Sequence, residues 1–399
     1  MTSFILASII SLSSSVATSP QDSVITSKVV HNLSLTAGSD YIASSVTDEL
    51  RIPVAEDERI FSHSALPVSF RYSFSFNNPK IRNYYPGGYQ GIAAGVLNIG
   101  ALSREGVHRA SKNIGYPILA YIFQGAPFCR LSRNVTLDYE WNFGAALGWK
   151  PYGLDNYRFN LTVGSRVNAY LNLSLLLNWK IADDIAFFGG LAVSHFSNGN
   201  TSWPNPGVNS LGLRLGVILS LNPHHGNFQP ASSDTLHKKR PEFDISLWGA
   251  SRKRVYKGGP EPVLLKGHFA CAGISFAPMW HLNPWWRLGG AADIQWDESS
   301  NLRKHYVSGS NSDDITFTRP GVASQISWGL SAHGELQMPV FAVNIGIGYN
   351  LIAPLENRGS YQNITLKTYI LPSLFINVGY QLRNFHQQAN LMLGLGLTL

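Results

Sequence analysis

The 399-residue chain is short of charge: Asp, Glu, Lys and Arg make up 14% of it, against about 25% in ordinary soluble domains. Beyond its N-terminus it also lacks any run of about 18 uncharged apolar residues, which argues against a helical membrane protein. An aromatic content of 12% excludes a disordered chain. Few charges combined with 37 glycines and many aromatics are typical of a transmembrane β-barrel, in which apolar and polar residues alternate.

Cysteine is nearly absent, with Cys129 and Cys271 alone, so neither a disulfide framework nor a zinc site is expected. Whether these two cysteines pair is left open by the sequence. The histidines show no metal-ligand spacing, and we expect neither a metal nor a cofactor. The net charge of +7 is compatible with phosphate-bearing anionic partners at a barrel rim or simply with a basic surface. Nucleic acid is not an expected partner.

Residues 1–20 resemble a secretory signal peptide, because Phe4 to Ile10 is apolar and Ser15-Val16-Ala17 offers small residues for cleavage. The segment departs from the usual pattern in having no basic residue before Lys28. We expect the remainder, 21–399, to form a single outer-membrane β-barrel of a Gram-negative bacterium.

Strict alternation with a period of two dominates this remainder. From Val135 to Trp149 the odd positions are apolar and aromatic, whereas the even positions are polar or small. Strands of a soluble sandwich average about 5–6 residues, and membrane-spanning strands need about 9–11. Because several segments reach the longer range, we predict an all-β, antiparallel up-and-down transmembrane barrel of about 14 strands, with a range of 12–16 and an uncertain pair before residue 80.

The connections alternate between short turns and long polar loops, as in outer-membrane barrels whose long loops lie outside the cell. Short turns are expected near 182–184, 281–284, 337–339 and 371–373, and the long loops include 197–208 and 253–263. The long connection 222–241 is an exception, because the parity of the strands places it on the periplasmic side.

One segment carries polar residues on the lipid-facing phase. The outward positions of the strand Ile185 to Ser197 end in His195 and Ser197, and the next strand begins with Asn209 in the outward phase. Polar groups on a lipid-facing wall are unfavourable unless they meet headgroups or perform chemistry. The alternative is that these side chains lie above the membrane at an ordinary solvated rim.

Residues 195–199, His-Phe-Ser-Asn-Gly, and residues 204–209, Pro-Asn-Pro-Gly-Val-Asn, resemble the signature of the outer-membrane lipid A 3-O-deacylases, the acyloxyacyl hydrolase-related PagL family. The matching region extends over about 130–221, and the part after about residue 222 resembles the additional barrel of longer, Bacteroidetes-type relatives. The resemblance implies a serine esterase that hydrolyses the 3-position hydroxyacyl ester of lipid A in lipopolysaccharide. It implies Ser197 as nucleophile, His195 as general base, and Asn198 and Gly199 as oxyanion donors.

Asn209 departs from the family pattern, which has Glu at the third position. An amide oxygen can still accept a hydrogen bond from the imidazole, but it cannot stabilise an imidazolium by charge. The site is therefore expected to be weakened, and the alternative is an inactive barrel that acts as a solute channel or structural protein. Arg252, Lys253 and Arg254, in an external loop, are weaker candidates for contacts with substrate phosphates. The sequence leaves the acyl-chain preference and the oligomeric state open.

Overall fold

The computed structural model describes thirteen stretches of the chain, and the expected signal peptide 1–20 lies outside them. The described residues are 29–43, 64–76, 86–99, 115–151, 163–203, 205, 207–222, 240–256, 263–283, 285–306, 315–338, 340–385 and 387–399. None of the helices in these stretches is long and apolar enough to span a membrane.

The first half of the chain forms a closed antiparallel barrel in which each strand pairs with the next and β8 pairs back onto β1. Its strands are β1 (Val29–Ala43), β2 (Ser64–Phe76), β3 (Tyr89–Ile99), β4 (Gly115–Arg130), β5 (Val135–Trp149), β6 (Val167–Lys180), β7 (Ile185–Ser197) and β8 (Val208–Ser220).

The second half forms another closed antiparallel barrel, in which β9 pairs with both β12 and β20. Its eight strands and the two small hairpins in its loops are β9 (Glu242–Arg252), β10 (Val255–Tyr256), β11 (Val263–Leu264), β12 (Phe269–His281), β13 (Trp286–Asp297), β14 (Arg303–Tyr306), β15 (Ile315–Thr318), β16 (Ile326–Gln337), β17 (Phe341–Ile352), β18 (Gly359–Tyr369), β19 (Leu374–Arg383) and β20 (Gln387–Thr398). The hairpins are β10–β11 and β14–β15, and short 3-10 turns occupy Val322–Gln325 and Leu355–Asn357.

The predicted class, an all-β antiparallel barrel, is confirmed, but the described strands close two barrels of eight instead of one of about 14. The uncertain pair before residue 80 is present as β1 and β2, so the total of sixteen barrel strands reaches the upper end of the predicted range. In sequence, the connection 222–241 links β8 of the first barrel to β9 of the second, and its residues 223–239 fall outside the described residues. The alternation of strand directions could not distinguish one large barrel from two small ones, because strands run alternately up and down in both.

Each lumen is filled by side chains, as expected of a barrel with eight strands. In the first barrel, Arg71 pairs with Glu140 and its guanidinium lies 4.0 Å from the centroid of the Phe123 ring. A second ion pair joins Arg214 to Asp40. Because these charged groups are buried and paired in the lumen, they support the wall from inside and are unavailable to lipid.

The second lumen is organised around Arg287, whose side chain is fully buried. Its guanidinium contacts three carboxylates: Glu242 at 3.0 Å, Asp244 at 2.7 Å, and Glu335. Lys367 bonds two of the same groups, Asp244 at 2.6 Å and Glu335 at 2.5 Å. This network spans the width of the lumen and ties β9, β13, β16 and β18 together.

The outer walls expose the apolar half of each strand, as the alternation predicted. On β6 and β7 the exposed residues include Leu173, Leu175, Leu191 and Val193. Aromatic rings near strand ends are also exposed, among them Trp179 on β6. This apolar belt matches a barrel whose outer surface is solvated by lipid.

Trp149 is an exception to the predicted outward phase of β5. It is 2% exposed and belongs to the buried cluster at the long-loop end of the first lumen. The preceding residue, Gly148, has a φ of +93°, which breaks the alternation and turns the indole inward. The two cysteines lie in different barrels, on β4 and β12, and neither forms a disulfide.

The Arg287 network gives a stability prediction. Substituting Arg287→Met leaves the buried carboxylates of Asp244 and Glu335 with Lys367 as their remaining ion-pair partner among the described residues, and we expect the free energy of unfolding to fall by about 3–5 kcal/mol. The control is Lys180→Met, which breaks an exposed turn ion pair with Asp183 and should change stability by less than about 1 kcal/mol. Both changes in the free energy of unfolding are measured by urea unfolding of the full chain in detergent micelles, monitored by tryptophan fluorescence. Equal effects of the two substitutions would contradict a structural role for the network.

Candidate active site on the outer wall

The end of β7 and the start of β8 place His195, Ser197 and Asn209 on one face of the wall. His195 lies directly opposite Asn209 in the antiparallel register. Ser197, two residues further along the same strand, shares the face of His195. His195 and Ser197 are half-buried and Asn209 is exposed, whereas the intervening Phe196 is buried. The tertiary structure therefore brings together the three residues that the sequence singled out.

A hydrogen bond fixes the orientation of the imidazole. His195 Nδ1 lies 2.7 Å from Asn209 Oδ1. Because an amide oxygen only accepts hydrogen bonds, Nδ1 must carry the proton and donate it. In the neutral ring the lone pair is then on Nε2, which makes that nitrogen the basic one. The arrangement can accept a proton from a hydroxyl on the lipid-facing side of the wall.

The lumen supports this face from behind. The Phe196 ring stacks on Tyr170 with 5.0 Å between centroids, and it also contacts Trp149 at 5.5 Å. All three rings belong to one buried cluster. The end of β7 is thus packed on its inner face, so that the backbone carrying His195 and Ser197 has little freedom to move.

The loop after β7 is held by its own hydrogen bonds. The Asn198 backbone N–H donates to Asn205 Oδ1 at 2.9 Å, and Asn198 Nδ2 donates to the Ser202 carbonyl at 3.0 Å. Asn198, predicted as an oxyanion donor, is therefore buried and engaged within the loop. Asn205 has a structural role that sequence reasoning did not assign, although it stands inside the Pro-Asn-Pro-Gly motif; Pro204 and Pro206 lie outside the described residues.

Gly207 lies against the His195 imidazole. Its φ is +81°, and a Cβ at this position would be 2.8 Å from His195 Cε1 and 2.8 Å from the Phe196 carbonyl oxygen. Glycine is therefore required at position 207 for two reasons: the backbone is left-handed, and the His195 ring lies too close to leave room for a Cβ. The motif residue Gly207 makes room for the ring that Asn209 orients.

The three predicted phosphate-binding residues differ in accessibility. Arg252 is buried in the second lumen, where it pairs with Asp297 and donates to Ser299 at 2.9 Å. The expectation that it contacts substrate is thus not supported, because it lies on the inward phase of β9. Lys253 and Arg254 follow β9 in the loop and are half-buried.

Lys253 is adjacent to the site: its backbone N–H donates to the Thr201 carbonyl at 2.8 Å. Arg254 donates through Nε to Ser299 Oγ at 3.0 Å. Burial and the neighbouring positive charge of Arg252 lower the pKa of Arg254 to about 10. Arg254 therefore remains cationic at neutral pH and, together with Lys253, gives this end of the second barrel a positive charge.

A second Ser–His–Asn arrangement lies inside the second barrel and was not found from the sequence. His333 Nδ1 is 2.7 Å from Asn344 Oδ1, and His333 Nε2 is 2.8 Å from Ser331 Oγ. Ser331, however, is buried in the lumen and donates its hydroxyl proton to Asp293 Oδ2 at 2.6 Å. Ser331 is enclosed, so a lipid has no access to it.

Within the ranges that the structure describes, no cluster of His, Cys, Asp and Glu could hold a metal ion.

Two family models match the chain, one in each barrel. The model described as "Lipid A 3-O-deacylase (PagL)" matches residues 68–217, within the first barrel. The model described as "Acyloxyacyl hydrolase, C-terminal domain" matches residues 241–399, which form the second. No curated protein matches the chain significantly.

Solved structures of outer-membrane proteins align with much of the chain at low similarity. The siderophore receptor PirA from Acinetobacter baumannii is 9% identical, with 90% of this chain and 68% of that chain covered and a TM-score of 0.24. The NanC porin is 7% identical, with 91% and 97% covered and a TM-score of 0.17. An outer-membrane channel from Pseudomonas putida F1 is 12% identical, with 95% and 98% covered and a TM-score of 0.18. At such scores these alignments carry no information about function.

The Gly207 contact yields a test of the site geometry. We expect Gly207→Ala to displace the His195 ring and to destabilise the protein by about 1–3 kcal/mol, because the new Cβ is both strained and obstructed. The matched control is Gly267→Ala, where φ is +90° but a Cβ would meet nothing within 4 Å. NMR of 13C-labelled histidine, with the His195 resonance assigned through His195→Gln, should show a shifted Cε1–H signal in the first variant only. Equal spectra of the two variants would contradict the proposed role of Gly207.

Proposed function

The chain belongs to the PagL-like family of outer-membrane lipid A 3-O-deacylases, and on that premise we propose that it is a serine esterase. Membership makes it an outer-membrane hydrolase with lipid A, or lipopolysaccharide, as its substrate. The proposed reaction is hydrolysis of the 3-position hydroxyacyl ester. The observation that carries the proposal is the 2.7 Å bond between His195 and Asn209 on the outer face of the wall, the face that Ser197 shares with His195.

In the proposed mechanism, His195 Nε2 takes the proton from Ser197 Oγ as that oxygen attacks the ester carbonyl carbon. The tetrahedral intermediate collapses when His195 returns the proton to the sugar oxygen, which leaves as a free hydroxyl. Water, activated by the same imidazole, then hydrolyses the acyl-serine and releases the 3-hydroxy fatty acid. No cofactor is needed for either half of this reaction.

The negative charge of the tetrahedral intermediate requires hydrogen-bond donors close to Ser197. We propose that the Gly199 backbone N–H supplies one, since Gly199 is two residues from the nucleophile in a tight loop with a φ of +63°. Asn198 is proposed to act by holding that loop, because its backbone N–H and its side-chain amide are bonded to Asn205 and Ser202. The ammonium of Lys253 and the guanidinium of Arg254 are proposed to attract the phosphates of lipid A.

Asn209 is proposed to orient the imidazole without stabilising its positive charge. In a serine protease, replacing the acid of the triad by Asn lowers kcat by about 10⁴-fold, chiefly through the wrong tautomer. The geometry here favours the productive tautomer, because Asn209 presents its oxygen to Nδ1. The site should therefore be active but slower than one with a carboxylate.

The alternative of a solute channel finds little support in the described residues. An eight-stranded barrel is just wide enough to be filled by its own side chains. Here the fill includes the Arg71–Glu140 pair in the first lumen and the Arg287 network in the second. A structural barrel without activity is the remaining alternative, and it is favoured only by the loss of the acidic residue at position 209.

The nucleophile is tested by Ser197→Ala in the full-length protein incubated with lipopolysaccharide. We expect the loss of a 3-hydroxyacyl chain from lipid A, read by mass spectrometry, to slow by about 10³-fold or more. Ser331→Ala is the matched control, because it removes a serine hydroxyl next to a histidine in the enclosed lumen. Deacylation by the Ser197→Ala variant at the wild-type rate would refute the serine mechanism.

The third position is tested by Asn209→Asp, which keeps the shape of the side chain and adds a carboxylate 2.7 Å from Nδ1. We expect kcat to rise by about 10-fold or more, because the carboxylate stabilises the imidazolium formed during attack. Asn209→Leu removes the acceptor and should lower kcat. If the wild type is active and neither variant changes kcat in lipid A deacylation, His195 is oriented by another group.

A further inference from the structure

The loop that follows Ser197 meets the second barrel at three consecutive residues, through two hydrogen bonds and one close approach. Asn200 Nδ2 donates to the Ala389 carbonyl at 3.0 Å. The Thr201 carbonyl accepts from the Lys253 backbone N–H at 2.8 Å. Gly199 lies so close that a Cβ on it would be 3.1 Å from Leu391 Cβ. Each contact joins the motif loop of one barrel to a different point on the rim of the other.

The backbone of this segment is one that needs external support. Gly199 and Asn200 both have a φ of +63°, and two consecutive left-handed residues make a sharp turn. A left-handed conformation is unfavourable for a residue with a side chain, although asparagine tolerates it better than most. The amide of Asn200 is the group that bonds the second barrel, so the contact stabilises the turn at its strained residue.

The two barrels also meet far from the loop, which keeps the rim of the second barrel in place. Trp141 on β5 packs edge-on against Phe341 at the start of β17, with 5.7 Å between ring centroids. Ile122 and Phe143 of the first barrel join Met338 of the second in the same apolar cluster. Contacts at two heights along the walls resist rocking of one barrel against the other.

We propose that the second barrel is a positioning element of the active site. By holding residues 199–201, it fixes the position of the proposed oxyanion donor, Gly199, relative to the proposed nucleophile, Ser197. Catalytic groups must be held to about 0.5 Å, and an error of about 1 Å can lower the rate by 10²-fold. This role rests on the proposed function, and it explains why a family member with a complete eight-stranded catalytic barrel carries another barrel at its side.

The sharpest test is Asn200→Gly, which allows the left-handed backbone and removes the side-chain bond to Ala389. The matched control is Asn301→Gly in a loop of the second barrel, where an asparagine with a φ of +56° donates its amide to the Ser324 carbonyl at 2.6 Å. We expect Asn200→Gly to lower kcat for lipid A by about 10-fold without raising KM. We also expect faster amide hydrogen exchange in residues 198–203. Asn301→Gly should change neither quantity.

A second pair of variants separates the backbone contact from the charge of Lys253. Lys253→Ala removes the ammonium and keeps the N–H, whereas Lys253→Pro removes both. The proposal expects a lower kcat and faster exchange of the 198–203 loop in the proline variant than in the alanine variant. The kcat and the exchange rates are measured on the full chain. Folding of each variant is checked first by the difference in electrophoretic mobility between heated and unheated protein.

The outcomes distinguish this proposal from the proposed function. If the wild type deacylates lipid A and Asn200→Gly retains its kcat and exchange rates, the positioning role is wrong while the esterase stands. If the wild type does not deacylate lipid A, the proposed function fails. In that event the exchange rates alone decide whether the second barrel holds the loop, and unchanged rates in Asn200→Gly would overturn that as well.

Discussion

An eight-stranded barrel has room inside only for its own side chains, and the rest of this structure depends on that limit. Aromatic rings fill the first lumen and buried ion pairs fill both, so the inward half of every strand is committed to support. The outward half faces lipid and is apolar over most of its length. The outer wall near the long loops, where His195, Ser197 and Asn209 lie, is therefore the location that we propose for chemistry on a lipid substrate.

The same three residue types occur on the outer wall of the first barrel and in the lumen of the second, and their surroundings differ. On the outer wall, Asn209 orients His195 on the face that His195 shares with the half-buried Ser197. In the second lumen, Asn344 orients His333 in the same way, but the Ser331 hydroxyl donates to Asp293 and is enclosed. A short distance between serine and histidine is thus not sufficient for esterase activity. Access of the substrate and freedom of the hydroxyl proton are needed as well.

The alternation of the sequence correctly predicted the barrel class, the lipid-facing belt and the common face of His195 and Ser197. It was wrong at Trp149, because one glycine with a positive φ shifts the phase by a step. It was also wrong about accessibility at Arg252, which was placed in an external loop but is the last, inward-facing residue of β9 and pairs with Asp297. The roles of Asn205 and Gly207 escaped the sequence because both depend on side chains brought close by the loop's fold.

The face that most strand side chains occupy was determined by the sequence alone, because alternation along a strand is a local property of the extended backbone. The motif around Ser197 and its missing acid at position 209 were legible from the resemblance to the PagL family, because a contiguous motif can be compared residue by residue. Only the tertiary structure decided that the strands close as two barrels, because β1 with β8 and β9 with β20 are pairings between distant parts of the chain. That closure sets the second barrel beside the Ser197 loop, and contacts such as Asn200 with Ala389 exist only once both rims are built.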